Sequence, residues 1–128
     1  MESLSRSIKT FYLNNEREVS YVNKQIIASA SYYNKKYYLN EEFEKLPYAV
    51  KKDLKEICTG YVEKYKCVFI IGFYYDCEIF VETQVSEENE FSFMEIDSKL
   101  EIKKIESEYS EMLEGLHKWV MIYVHRKD

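Results

Sequence analysis

Glycine and proline are scarce in this sequence, which has 3 Gly and 1 Pro among 128 residues. Phosphate and dinucleotide sites usually depend on Gly-rich loops, because glycine lets the ligand approach the backbone closely. We therefore expect no nucleotide site of these kinds and no cofactor. Cys58, Cys67 and Cys77 fit neither a CxxC motif nor any zinc-binding spacing, so we expect no metal.

Long apolar runs are missing as well. The longest extends from Trp119 to Val124, which is far too short to span a bilayer. The first residues, Met1 to Ser5, contain no apolar stretch typical of a signal peptide. Together with the odd number of cysteines, these features predict a cytoplasmic protein with reduced thiols.

Aromatic residues, by contrast, are plentiful. The chain contains 13 Tyr and 7 Phe, and the residues AVILMFWYC make up 46% of it. Charged residues make up another 32%. This length and composition are typical of one globular domain that buries a core of its own.

Charge is distributed unevenly along the chain. Residues 1–66 carry 12 basic and 9 acidic side chains, whereas residues 67–128 carry 6 basic and 14 acidic ones. An acidic chain without a basic stripe is poorly suited to nucleic acids, because phosphate neutralisation supplies most of that affinity. It is equally poorly suited to anionic membranes. We expect neither nucleic acid nor membrane as a partner.

The first part of the chain divides into an extension, residues 1–24, and the beginning of a single α+β domain, residues 25–128. In the extension, Leu4, Ile8, Phe11 and Tyr12 have helical spacing and predict a short helix.

The start of the domain predicts a β-hairpin, because apolar residues alternate from Ile26 through Ala28 and Ala30. A two-residue turn at residues 34 and 35 then pairs Ala30 with Leu39.

A second hairpin is predicted over residues 68–85. A three-residue loop at residues 75–77 pairs Phe73 with Ile79 and keeps one face of the hairpin apolar. A two-residue turn would instead place a glutamate on the buried face. The preferred register also sets Gly72 opposite Phe80, whose ring can cover the glycine.

Two helical stripes complete the pattern. Pro47 suits the first turn of a helix whose apolar stripe extends from Val50 to Tyr65. A longer helix follows the second hairpin, with an irregularity near residues 97 and 98, and we expect Trp119 between it and the sheet. The order is β-β-α-β-β-α, and the simplest assembly is a four-stranded, mainly antiparallel sheet with both long helices on one face. The stripe of the last helix has alternating steps of three and four: Ile102, Ile105, Tyr109, Met112, Leu116, Trp119 and Tyr123.

Several short runs resemble a family of small uncharacterised bacterial proteins, a domain of unknown function, over roughly residues 25–124. The resemblance implies no activity and no functional residues. This chain has Asp76-Cys77 where the family's second hairpin has an Asp-Gly type of turn, which favours a non-standard loop. The runs are Tyr37-Tyr38-Leu39-Asn40, Leu46-Pro47, Val50-Lys51, Leu54-Lys55, Ile57-Cys58 and Ile102-Lys103-Lys104-Ile105.

No catalytic residue emerges from the sequence. A Cys-His enzyme needs a base within hydrogen-bond reach of the thiol. His117 and His125 both lie on the last helix, and Cys58 lies in a buried stripe. Cys77 lies on a predicted exposed loop and is expected to be the most accessible thiol, but nothing in the sequence places a base beside it.

Tyrosine doublets flank both hairpin turns, and strand alternation sends one ring of each doublet to each face. The face opposite the helices is therefore aromatic, which is unusual for a monomer, and Tyr is favoured at protein interfaces. Either another protein chain or the N-terminal segment covers this face. The predicted interface residues are Tyr33, Tyr38, Ile70, Tyr74 and Phe80.

These features predict a non-enzymatic protein-interaction module that forms a homodimer or binds another protein, through either the aromatic outer face of the sheet or the long C-terminal helix. The alternative is a small-ligand-binding or enzymatic domain with a pocket between sheet and helices, where Ala28 and Ala30 leave space. A polar group inside such a pocket would favour the alternative, and a filled apolar core would favour the interaction module.

Overall fold

The computed structural model describes residues 8–12, 24–86 and 95–127, and the side chains of residues 24–86 and 97–125. The strands are β1 (Ile8–Tyr12), β2 (Lys24–Ser31), β3 (Lys36–Leu39), β4 (Val68–Tyr74) and β5 (Ile79–Ser86). The helices are a 3₁₀ turn (Glu41–Phe43), α1 (Tyr48–Tyr65), α2 (Glu95–Glu108) and α3 (Ser110–Lys127).

The strands form one sheet in the order β1-β5-β4-β2-β3, with every neighbouring pair antiparallel. The helices contribute their apolar faces to a core cluster against this sheet. The predicted α+β class is confirmed, and the order β-β-α-β-β-α holds from β2 onward, with the last helix in two segments. No helix among the described residues is long and apolar enough to cross a membrane.

The short helix predicted in the N-terminal extension is wrong over Ile8–Tyr12, which forms strand β1. Its backbone pairs with β5 from Ile8 opposite Ser86 to Tyr12 opposite Glu82. An isolated helix of so few residues is marginal in water, whereas pairing satisfies the open edge of β5. Leu4 lies outside the described residues, and the domain boundary after residue 24 stays a prediction.

The β4–β5 hairpin has the predicted register. Phe73 lies opposite Ile79, and Gly72 lies opposite Phe80. The three-residue loop closes with Cys77 at φ 75°, in the left-handed region where glycine is usual. A Cβ added at Gly72 would collide with the backbone oxygen of Gln25 and come within 2.7 Å of the Phe80 ring. The ring therefore covers the glycine, as predicted.

The β2–β3 hairpin has a register two residues away from the predicted one. Ala30 lies opposite Tyr37 rather than Leu39, and the loop contains four residues, 32–35. The predicted turn fails because Tyr32 donates its backbone N–H to the carbonyl of Cys67, 2.9 Å away, and so follows β4 rather than β3. Lys35 completes the loop with φ 55°.

A β-bulge in strand β2 changes the face of one predicted core residue. The pairing with β4 shifts between Ile26 and Ala28, so that Ile27 and Ala28 are both fully buried. Ile26 lies opposite Gly72, and its side chain is 40% exposed. The prediction that Ile26 shares a face with Ala28 is therefore wrong.

Helix α1 begins after Pro47 and ends at Lys66, whose left-handed backbone (φ 52°) lets its N–H bond to the carbonyl of Val62. Its apolar stripe is buried as predicted, at Leu54, Ile57, Cys58, Tyr61 and Val62. These side chains pack on the sheet beside Ala28 and Ala30, whose small size lets the helix approach closely.

Helices α2 and α3 continue one another with a break at Tyr109, rather than near residues 97 and 98. Tyr61 and Tyr65 of α1 donate hydroxyl hydrogen bonds to the carbonyls of Ser98 and Asp97, at 3.2 and 3.1 Å. These bonds hold the first turn of α2 against α1. All seven residues of the predicted apolar stripe belong to the core cluster or pack against it.

Trp119 is half-buried at the margin of the core, and its position between the last helix and the sheet stays a prediction. Its side chain packs against the core cluster, with its ring centroid 5.4 Å from that of the fully buried Phe43. Phe43 also contacts the rings of Phe73 on the sheet and Tyr123 on α3. This aromatic group joins α3, the 3₁₀ turn and strand β4.

Candidate functional site

The outer face of the sheet, opposite the helices, brings most of the predicted interface residues together. Ile70 of β4 pairs with Ser29 and Glu82, and the rings of Tyr74 and Phe80 lie 4.8 Å apart. Tyr74 and Phe80 are each only 6% exposed, so they are already buried in a single chain. A Phe80→Arg variant would therefore disturb the fold, and it is not a selective test of assembly.

Tyr33 has a structural role that the sequence did not indicate. Its hydroxyl donates to the carbonyl of Lys66 at 3.0 Å and accepts from the backbone N–H of Ser86 at 2.9 Å. The side chain therefore ties the β2–β3 loop to the C-terminal end of α1 and to the end of β5. Such a ring is held in place by its own chain.

Tyr38 is the predicted interface residue that remains open to solvent, with 51% of its side chain exposed. It lies on β3 opposite Ser29, on the outer face. Ile26, on the same face of the neighbouring strand, is 40% exposed because of the bulge in β2. Among the side chains that the structure describes, the exposed apolar surface of the outer face therefore concentrates at the β2–β3 side.

A buried ion pair also lies on the outer face and was not predicted. The Nζ of Lys24 donates to Glu82 Oε1 at 2.8 Å, and the side-chain amide of Gln84 donates to Glu82 Oε2 at 2.7 Å. Glu82 is 6% exposed. On sequence alone, Lys24 is predicted to lie in the N-terminal extension. Extending the strand alternation of β2 by one residue puts Lys24 on the same face as Glu82 of β5. Replacing one partner of a buried ion pair lowers protein stability strongly, because the other charge is left buried without compensation.

A groove lies between the β2–β3 loop and helix α1, on the helix side of the sheet. It has a volume of about 550 Å³, and its lining includes Lys35, Lys36 and Lys55 together with the ring of Tyr37. The Tyr37 hydroxyl is buried and has no hydrogen-bond partner. Burial, with smaller contributions from Cys58 and Glu44, raises the pKa of this hydroxyl, which therefore remains a donor.

The three thiols are unpaired and buried, and the prediction of an accessible Cys77 is wrong. Cys77 is 8% exposed, because its side chain turns from the β4–β5 loop into the core cluster. Burial and then Asp76 raise its pKa. Burial raises the pKa of Cys58 and of Cys67 to about 12, so both thiols stay protonated at neutral pH.

Metal-ligating residues do not cluster in the described part of the chain. No group of three or more His, Cys, Asp or Glu side chains lies close enough there to hold a metal ion. His125 is exposed and His117 is half-buried on α3.

The architecture defines an α+β protein whose antiparallel sheet has its helices on one face. Within that class, the chain belongs to a family of unknown function, DUF6145, whose model matches residues 24–128. The match begins at the first residue of β2 and includes both hairpins and all three α-helices. No curated protein and no solved structure matches the chain.

Proposed function

We propose that this chain is a non-enzymatic protein-interaction module of the cytoplasm that forms a homodimer through strand β3. The carrying observation is that β3 ends the sheet and also bears the exposed ring of Tyr38. Among the described strands, only β2 pairs with β3, so the backbone of its other edge is unpaired. The three unpaired thiols agree with a reducing compartment.

Strand addition across a two-fold axis gives this proposal a defined geometry. A second copy of β3 can pair antiparallel with the first about an axis perpendicular to the sheet, which keeps the two outer faces on the same side. A register centred on Tyr38 sets the two Tyr38 rings opposite one another. It also aligns Lys36 of each copy with Asn40 of the other, so no like charges oppose each other across the new ladder.

The size of the strand limits the strength of such a dimer. β3 contains four residues, whereas stable interfaces bury about 800 Å² on each partner. Ile26 and Tyr38 add apolar area beside the strand. We therefore expect a weak dimer whose population rises with protein concentration.

Cysteine cross-linking tests this geometry, because the three native thiols are buried and contribute little background. A Tyr38→Cys variant should form a covalent dimer under mild oxidation, since directly opposed Cβ atoms lie within about 5 Å in an antiparallel pair. Tyr48→Cys is the matched control, because Tyr48 is 77% exposed but lies at the start of α1. Equal cross-linking of both variants, or a monomer in sedimentation at high concentration, would overturn the proposal.

The small-ligand alternative is supported by one specific observation, the groove beside α1. A polar group in a pocket between the sheet and the helices favours this alternative. The groove contains lysine side chains, and the Tyr37 side chain forms part of its wall. We therefore retain ligand binding as a second candidate function, independent of the dimer.

A further inference from the structure

The groove beside α1 is formed by two elements of the fold. The β2–β3 hairpin supplies Ala30, Lys36 and Tyr37, and helix α1 supplies Lys55 and Val62. Ala30, Val62 and Tyr37 belong to the core cluster or pack against it, so the floor of the groove is apolar.

The cations at this groove have no carboxylate partner among the described residues, a property that they share with Lys45, Lys66 and Lys103. Lys35, Lys36 and Lys55 form no ion pair with any described residue, and Glu63 is the acidic residue among those that line the groove. The ion pairs lie elsewhere, at Lys24–Glu82, Lys51–Glu44, Lys52–Glu56, Lys64–Glu101, Lys104–Glu108 and Lys118–Glu114. The local charge is thus positive in a chain whose net charge is −5.

One of these cations is fixed by its surroundings. Lys35 has a left-handed backbone (φ 55°) in the β2–β3 loop. Its Nζ lies 3.4 Å from the centre of the Tyr32 ring. An ammonium group over an aromatic face is held electrostatically, and it keeps other hydrogen-bond donors available. A cation that is already positioned loses less conformational freedom when it binds an anion.

We propose that this groove binds a small molecule with two or more anionic groups, either a phosphate ester or a di- or tricarboxylate. The apolar floor takes the body of the molecule, and the three lysines take its charges. This inference rests on the small-ligand candidate and does not depend on the dimer. A nucleic acid fits less well, because Glu63 lies among the lining residues and interrupts any basic stripe.

The test uses pyrophosphate and citrate as probes, titrated into ¹⁵N-labelled full-length protein at constant ionic strength, because salt screens exposed charges. We expect saturable shifts at the amides of the β2–β3 loop and of α1 near Thr59. A preference for pyrophosphate identifies a phosphate ester as the ligand class, and a preference for citrate identifies a carboxylate. Saturation by neither probe, or larger shifts elsewhere, would overturn the proposal.

Matched lysine substitutions inside and outside the groove distinguish binding at the groove from general attraction of anions to the protein. Lys36→Gln with Lys55→Gln should weaken binding of the preferred probe about tenfold, the effect of losing charge-assisted hydrogen bonds. Lys45→Gln with Lys103→Gln makes the same change in net charge at exposed positions outside the groove, and should leave affinity unchanged. Equal weakening in both double variants would overturn the site, as would tighter binding of a single-stranded oligonucleotide than of either probe.

A Tyr37→Phe variant removes the buried hydroxyl without changing the shape of the wall. It should leave affinity unchanged, while the melting temperature stays the same or rises, because a buried unpaired polar atom is removed. A severalfold loss of affinity would contradict a site formed by the lysines and the apolar floor. The oligomeric state, measured on the same samples, shows whether a failure concerns the groove or the dimer.

Discussion

The two hairpins of this protein differ in how completely the rest of the sheet encloses them. The β4–β5 hairpin is paired on both sides, by β2 and by β1. The β2–β3 hairpin is paired on one side, and β3 ends the sheet. The enclosed hairpin, β4–β5, has buried side chains on both faces, such as Phe73 and Phe80. The outer hairpin, β2–β3, carries the exposed side chains of Tyr38 and Lys36. Both candidate binding surfaces belong to the outer hairpin.

This difference shows what fixes the register of a hairpin. In β4–β5, Phe73 and Ile79 face the core while Phe80 closes over Gly72, so any slip breaks contacts on both faces. In β2–β3, a slip of two residues leaves every side chain on its original face, because strand alternation has a period of two. The contact of Tyr32 with Cys67, formed by another strand, selects the register there.

The largest expected effect is the disruption of the enclosed hairpin at Gly72. A Gly72→Ala variant places a methyl group against the Gln25 carbonyl and the Phe80 ring, and overpacking of this kind costs about 3 kcal/mol. Gly60→Ala on α1 is the control, because no heavy atom lies within 4 Å of its added Cβ. That variant should gain about 0.5–1 kcal/mol from helix propensity. Urea denaturation measures both, and similar stabilities would show that β4 and β2 separate easily.

A smaller effect is expected at the joint between the hairpins, where burial raises the pKa of Cys67 from 9.0 to about 12. The folded chain keeps this proton while the unfolded chain loses it above pH 9. The stabilisation is therefore complete below pH 9 and is lost as the pH rises towards 12, by about 1.4 kcal/mol per unit. A Cys67→Ala variant should show a shallower loss of unfolding free energy between pH 9 and 10 than the native chain. Parallel pH profiles for the two proteins would contradict a buried thiol at this joint.

The smallest expected effect distinguishes the two loops. Lys35 and Cys77 both have left-handed backbones, at φ 55° and 75°. Lys35→Gly relieves about 1 kcal/mol of backbone strain in an exposed loop but loses the contact of the Lys35 ammonium with the Tyr32 ring, worth about 0.5 kcal/mol, so we expect a net gain of about 0.5 kcal/mol. Cys77→Gly receives the same relief but loses a side chain that is 8% exposed, so we expect no net gain. Thermal denaturation compares them, and an equal gain in both would mean that the Cys77 side chain adds nothing to the core.

Much of the fold was predictable because it depends on local patterns. The stripe from Leu54 to Val62 identified α1, and the alternation around Phe73 identified both the loop and the register of β4–β5. The N-terminal strand was missed because five residues carry too little periodicity to distinguish strand from helix. The break at Tyr109 and the bulge at Ile27 were missed for a related reason, since each is set by packing against a neighbouring element.

The candidate sites were less predictable than the fold. Alternation identified the outer face correctly, but it did not show that Phe80 and Tyr74 are buried while Tyr38 remains exposed. Lys36 begins strand β3 and Lys55 lies within helix α1, with the 3₁₀ turn between them in the chain. No rule based on sequence spacing predicts that these two lysines line the same groove. Their proximity follows from the docking of α1 on β2.

The sequence by itself determined the two long apolar stripes, the alternation of the strands, and the scarcity of glycine, because each follows from neighbours along the chain. Tertiary structure alone decided the strand at Ile8–Tyr12, the register of β2–β3, and the buried pair of Lys24 and Glu82. Each of these depends on a hydrogen-bond or charge partner that lies far away in sequence, and the selection of that partner is a property of the folded chain as a whole.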